Sequence, residues 1–157
     1  MYTIAVDTED LEIPPFVRSV WPMEKFNDLL RESDVVSICA PLTAKTEKMF
    51  NYAAFQQMKP HALLINVTRG RIVDGPDLIR ALNEGLIGGA GLDVTPEEPL
   101  PLDNPLWDMP NVIVTPHVAG GSPIRLDRTI DLFCQSLELF MNNKIAHFYH
   151  LHLLRYL

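Results

Sequence analysis

The chain has 157 residues, 47% of them hydrophobic, and a formal net charge of −7. That length supports one domain with a substantial core, and the apolar share excludes a disordered chain. The acidic balance argues against a nucleic-acid partner, because a phosphate backbone is met by clustered Lys and Arg, and no apolar run reaches the ~20 residues that cross a bilayer.

The first segment, MYTIAVDTED, has no basic start and no small-residue cleavage site, so it does not read as a signal peptide. Tyr2–Val6 reads as a strand running into the acidic stretch Asp7 to Asp10. A Pro-containing connection follows, with room for a short strand near Val17–Val20. Met23–Glu32 is helical, with Phe26, Leu29 and Leu30 at the i, i+3, i+4 spacing. VVSICA, from Val35 to Ala40, is a continuous apolar run of strand length. Asn51–Met58 is a short helix stopped at Lys59-Pro60, and Ala62–Asn66 is another apolar strand. Asp77–Asn83 is a helix with Pro76 near its start and Gly85 past its end, the expected asymmetry of helix termini. Gly88–Val94 and Val112–Val114 are further strands. Pro123–Met141 is a long amphipathic helix with Leu126, Ile130, Phe133, Leu137 and Phe140 on one face. Cys39 and Cys134 lie in apolar surroundings and are expected to be buried free thiols of a cytoplasmic protein.

Apolar strands alternating with helices predict an α/β parallel sheet covered on both faces. Ligand groups then collect at the carboxyl ends of the strands. The residues there are Asp7, Ala40 and Pro41, Val67, Thr68 and Arg69, Asp93, and His117. Arg69 can hold a planar carboxylate through two parallel hydrogen bonds, or it can be a plain exposed Arg in a turn. Glu97 and Glu98 follow Asp93 in a proline-stiffened loop; either can support an imidazole, and both can equally be solvated acids. His117 can exchange a proton near neutrality, or simply end a strand. Together an Arg, a Glu and a His at neighbouring strand ends supply an anion anchor, an imidazole partner and an acid–base group. His147, His150 and His152 form a weaker cluster near the C-terminus, with no Cys and no nearby carboxylate pair to complete a metal site.

Two stretches carry a resemblance. SDVVSICAPLTAKTEKMFNYAAFQQMKPHALLINVTRGRIVD, GGAGLDVTPEEPLPLDNPLWDMPNVIVTPHVAGGS and their spacing resemble the NAD-binding domain of the D-isomer-specific 2-hydroxyacid dehydrogenases. The resemblance covers residues 1–142 as a partial NAD-binding domain and leaves 143–157 as a divergent tail. It implies a Rossmann-like doubly wound parallel sheet, and NAD as cofactor for hydride transfer between a 2-hydroxy acid and a 2-keto acid. It assigns Arg69 to the substrate carboxylate, His117 to acid–base chemistry, and Glu98, the residue before Pro99, to partnering that histidine. Asp93 falls near the nicotinamide carboxamide and Asp7 at the adenosine ribose. Ala40, Pro41, Val67, Thr68 and the turn Val118, Ala119, Gly120 match backbone contacts to the dinucleotide.

The sequence departs from the family pattern in several places. The Gly-rich phosphate turn, the strand before it and the N-terminal substrate domain are not among these 157 residues. The missing strand is central in the usual order, so the sheet must close the gap or leave it open. Thr95 stands where many members have Phe. The expectation is a fragment with little or no activity alone, from a lineage that forms homodimers at full length. The alternative implied by the same resemblance is a non-enzymatic NAD-sensing module of the corepressor type.

Overall fold

A computed structural model describes residues 2–9 and 13–142. The strands are β1 (Ile4–Asp7), β2 (Ser19–Pro22), β3 (Val35–Ile38), β4 (Leu63–Asn66), β5 (Gly89–Leu92) and β6 (Val112–Val114). The helices are α1 (Phe26–Glu32), α2 (Tyr52–Phe55), α3 (Gly75–Asn83) and α4 (Arg125–Met141). Each strand and helix expected from the sequence is present, most of them shorter by a residue or more at one or both ends. The start of the first helix, Met23–Lys25, is a 3₁₀ turn.

Local chemistry explains the helix ends. The Asn51 side chain accepts the Ala54 N–H and opens α2; the Asp74 side chain accepts the Asp77 N–H and opens α3. α3 closes with Gly85 at φ +69°. The Leu86 N–H then reaches the Ala81 carbonyl at 2.9 Å and the Gly85 N–H reaches Leu82 at 3.3 Å, the paired bonds of a Schellman motif.

All strand pairings are parallel, but they form two sheets. β1 pairs with β2 alone, and β3-β4-β5-β6 make a separate four-stranded sheet. Of the two outcomes the sequence allowed, the structure has the open one: among the described residues no ladder joins β1 to β3. The larger sheet packs α1, α2 and α3 on one face. Val36, Ile38, Leu64 and Leu92 point into that layer and meet Leu30, Phe55, Leu78 and Leu82. Leu30, Phe55, Leu64 and Leu78 are fully buried, and burying such a side chain contributes about 1.5–3 kcal/mol.

The opposite face corrects an expectation. Coverage on both faces was predicted, yet Val35, Leu63 and Ile113 are 53%, 42% and 72% exposed. A continuous apolar run shows that both faces of a strand are apolar; it does not supply the second helical layer. The same alternation corrects Cys39. It shares the parity of Val35 and Ser37, its sulfur lies 3.8 Å from the Ser37 hydroxyl, and it is exposed rather than buried.

The chain divides into two units, Met1–His117 and Val118–Leu157. In the second unit α4 forms as expected, but its stripe of Leu126, Ile130, Phe133, Leu137 and Phe140 is exposed. Cys134 on the same helix is exposed, again contrary to expectation. The tail 143–157, with His147, His150 and His152, lies outside the described residues. Among the described residues no helix is long and apolar enough to cross a membrane, and no group of His, Cys, Asp or Glu could hold a metal ion.

Candidate active site

The larger sheet brings its carboxyl ends together in register, with Asn66 beside both Ile38 and Leu92. Asn66 ends β4 and is fully buried. Its side-chain oxygen accepts the Thr68 N–H at 3.1 Å and the Thr68 hydroxyl at 3.2 Å, and its amide donates to the Arg69 carbonyl at 3.0 Å. This local amide turn reverses the chain at the strand end and delivers Arg69 at its tip. The Arg69 guanidinium donates to the Thr68 carbonyl at 2.7 Å, and the residue is exposed. Among the described residues Arg69 has no acidic partner, whereas Arg31, Arg71 and Arg80 are paired with Asp28, Glu47 and Glu84.

β5 continues into Asp93, whose N–H donates to the Asn66 carbonyl at 2.9 Å. Asp93 is 6% exposed, and its carboxylate accepts the Thr115 hydroxyl at 2.6 Å. The loop beyond turns back at Thr95. The Thr95 N–H donates to Glu98 Oε1 at 3.1 Å, and the Thr95 hydroxyl donates to the Glu97 carbonyl at 2.7 Å.

β6 leads through Thr115 and Pro116 to His117. The His117 N–H is shared between the Asp93 carbonyl at 2.8 Å and the Thr115 carbonyl at 3.0 Å. These bonds hold His117 at φ 55°, in the left-handed region where few non-Gly residues sit. Its Nδ1 lies 3.0 Å from Glu98 Oε2. With Nδ1–H donating to the carboxylate, Nε2 is the nitrogen left for chemistry. Both side chains are well exposed, 49% for His117 and 40% for Glu98. An exposed pair contributes only about 0–1 kcal/mol to stability, so the pairing matters here for orientation. A cleft of about 210 Å³ is lined by Leu42, Arg69, Gly70, Thr95, Pro96 and Glu98.

The sheet therefore gathers Arg69, Asp93, Glu98 and His117 at adjoining strand ends. Ala40 and Pro41 follow β3 at the same end, and the Pro41 carbonyl is occupied by the Thr46 hydroxyl at 2.7 Å. Val67 is 44% exposed beside Thr68. Asp7 ends β1 in the smaller sheet and accepts the Glu9 N–H at 3.0 Å. Val118, Ala119 and Gly120 belong to the second unit, in a turn closed by the Gly121 N–H on the Val118 carbonyl at 2.8 Å. Glu97, the other acid weighed from the sequence, contributes its backbone carbonyl to Thr95 rather than a carboxylate to His117.

Asn66, Gly70, Thr95 and Thr115 support the site through contacts the sequence did not reveal, although Thr95 already stood out there as a departure from the family pattern. Asn66 had a usable signal, an amide ending an apolar strand three residues before an arginine. Gly70 had a weaker one. A Cβ there would lie 1.8 Å from the Thr95 carbonyl oxygen, so only glycine lets the two loops touch.

A parallel sheet with helices between its strands, and a charged cluster at the strands' carboxyl ends, defines the dinucleotide-binding, Rossmann-like class of α/β domains. Residues 1–119 match the family "D-isomer specific 2-hydroxyacid dehydrogenase, NAD binding domain". The chain belongs to that family. A glyoxylate reductase of Korarchaeum cryptofilum is 40% identical over 145 residues, which are 92% of this chain and 42% of the relative. Among solved structures, a D-isomer specific 2-hydroxyacid dehydrogenase family protein from Aeromonas salmonicida has a TM-score of 0.83 at 34% identity, over 91% of this chain and 45% of that one. D-lactate dehydrogenase with NAD+ from Lactobacillus jensenii has a TM-score of 0.80 at 33% identity, over 94% of this chain and 47% of that one. The chain spans less than half the length of each of these proteins.

Proposed function

We propose that this chain carries the acid–base and anion-binding half of an NAD-dependent 2-hydroxyacid dehydrogenase. The observation that carries this reading is the His117–Glu98 contact at 3.0 Å, with Arg69, which has no acidic partner among the described residues, following the neighbouring strand. Arg69 binds the carboxylate of a 2-keto acid through its remaining N–H groups. Nε2 of protonated His117 donates to the keto oxygen as it becomes a hydroxyl, and takes that proton back in the oxidative direction. Glu98 holds Nδ1–H, fixes the ring and stabilises the imidazolium.

The residues fit the cofactor at two of its parts. Asp93 stands at the strand end where a nicotinamide carboxamide would lie, with Ala40, Pro41, Val67 and Thr68 offering backbone beside it. Asp7 offers a carboxylate for ribose hydroxyls, which favours NAD over NADP. A bound nicotinamide supplies the hydride; the protein supplies position and charge. The 157 residues contain no GxGxxG turn for a pyrophosphate. These residues by themselves therefore turn over slowly or not at all.

Two measurements test this. Steady-state reduction of glyoxylate, hydroxypyruvate or pyruvate with NADH by this chain should stay at background, and sustained turnover refutes the inactivity. Oxamate, a 2-keto acid analogue, should shift the NMR resonances of Arg69 and His117, and Arg69→Ala should abolish the shifts. Unmoved Arg69 and His117 resonances refute the assigned site.

A further inference from the structure

We infer that Thr95 is a positioning residue for the His117–Glu98 pair, an inference that rests on the function proposed above. Thr95 is 6% exposed, although the loop that follows it is largely at the surface. It meets that loop through two separate bonds. Its N–H takes Glu98 Oε1 at 3.1 Å, which leaves the other carboxylate oxygen, Oε2, to His117. Its hydroxyl takes the Glu97 carbonyl at 2.7 Å, which sets the backbone from which Glu98 projects. The glutamate is thus oriented from both ends: one oxygen is anchored and its chain segment is fixed.

Thr95 also faces the arginine. Its carbonyl oxygen packs directly over Gly70, the residue after Arg69, at a distance that excludes a side chain there. One residue therefore sets the spacing between the anion-binding loop and the carboxylate that orients the histidine. A phenylalanine at this position could keep the backbone bond but not the hydroxyl bond. The substitution noted in the sequence is thus a gain of one anchoring contact.

The tautomer of the neutral His117 ring reads this out without turnover. In water a neutral imidazole favours the Nε2–H form; a carboxylate held at Nδ1 inverts that preference. Nitrogen-15 shifts of His117 in the neutral ring should show the Nδ1–H form dominant in the intact chain. Thr95→Val keeps the shape and removes the hydroxyl; its two ring-nitrogen shifts should converge toward those of a solvated histidine. Thr95→Ser should restore the original pattern. If the valine variant does not fold, Thr95→Ala carries the same measurement. A loss of stability without a change of tautomer in the folded fraction would overturn the positioning role. Glu98→Ala separates the two readings. If it leaves the tautomer unchanged, the His117–Glu98 pairing itself is wrong. If it changes the tautomer and Thr95→Val does not, only the role of Thr95 is wrong.

Discussion

Replacing Gly70 with alanine should damage this molecule more than any other glycine-to-alanine change outside the strands. The added Cβ would sit 1.8 Å from the Thr95 carbonyl oxygen, 2.0 Å from its carbon and 2.6 Å from the Pro96 nitrogen. All three obstacles are backbone atoms, so no side chain can swing away. Real Cβ contacts stop near 3.0 Å, so the two loops must separate by at least 1.2 Å. Overpacking of this kind costs about 1–3 kcal/mol, and the upper end applies because two main-chain segments must move. That is a large share of the roughly 5–15 kcal/mol that holds a domain together. Urea unfolding monitored by circular dichroism reads the loss. Two companion variants calibrate it. Gly85→Ala meets open space but forces an L-residue to φ +69°, a cost of about 1–2 kcal/mol. Gly120→Ala meets nothing within 4 Å at an ordinary φ and should stay within about 0.5 kcal/mol of the parent. A Gly70→Ala variant as stable as Gly120→Ala would refute the close approach of the Arg69 and Thr95 loops.

Two further variants probe the scaffold. Leu64→Ala removes a fully buried side chain from β4 and should cost about 2–5 kcal/mol in the same unfolding assay. Tyr52→Phe removes the hydroxyl that donates to Glu84 across α2 and α3 at 2.5 Å. That hydroxyl, followed by Arg80, holds the Glu84 carboxyl below the usual carboxylate range, while Glu84 holds the Tyr52 phenol above its own. A depressed carboxyl contributes stability above its unfolded pKa of about 4.3 and loses it as pH falls through the lower folded value. A raised phenol contributes below its unfolded pKa of about 10 and loses it as pH rises through the higher folded value. The stability difference between parent and Tyr52→Phe should therefore be flat through neutrality and shrink at both extremes. A difference that persists unchanged into acid would refute the Glu84 contact.

The elements and the gathering of charged side chains at the strand ends were legible because their signals are local. Val112–Val114 is a β-branched triplet cut off by proline, and its strand bounds are those of the sequence reading. Pro76 and Gly85 bracketed α3 because helix ends have few chemical solutions. An Arg, a Glu and a His could be considered together because parallel topology places strand ends side by side; the choice of Glu98 over Glu97 came from the family resemblance. Coverage of the sheet was not legible, since hydrophobicity says what a face would tolerate and not what lies on it. For the same reason Cys39 and Cys134 were misjudged as buried. The contacts of Asn66, Thr95 and Thr115 were not legible because their work is relational. A threonine hydroxyl bonded to a carbonyl two residues away is invisible until the loop's path is known.

The separation of β1–β2 from β3–β6 also divides the molecule's cooperativity. A two-stranded ladder standing apart is marginal in water, and this one relies on α1 packed against β1. The four-stranded sheet shares one layer of helices and one continuous core. Backbone amides of β1 and β2 should therefore exchange with solvent through openings that leave the larger sheet intact. Asp7 then rides on the smaller sheet, which opens first, and Arg69, Glu98 and His117 follow strands of the larger one, which opens last. On the proposed reading, contact between Asp7 and a nucleotide's ribose would be lost in fluctuations that the Arg69, Glu98 and His117 cluster survives.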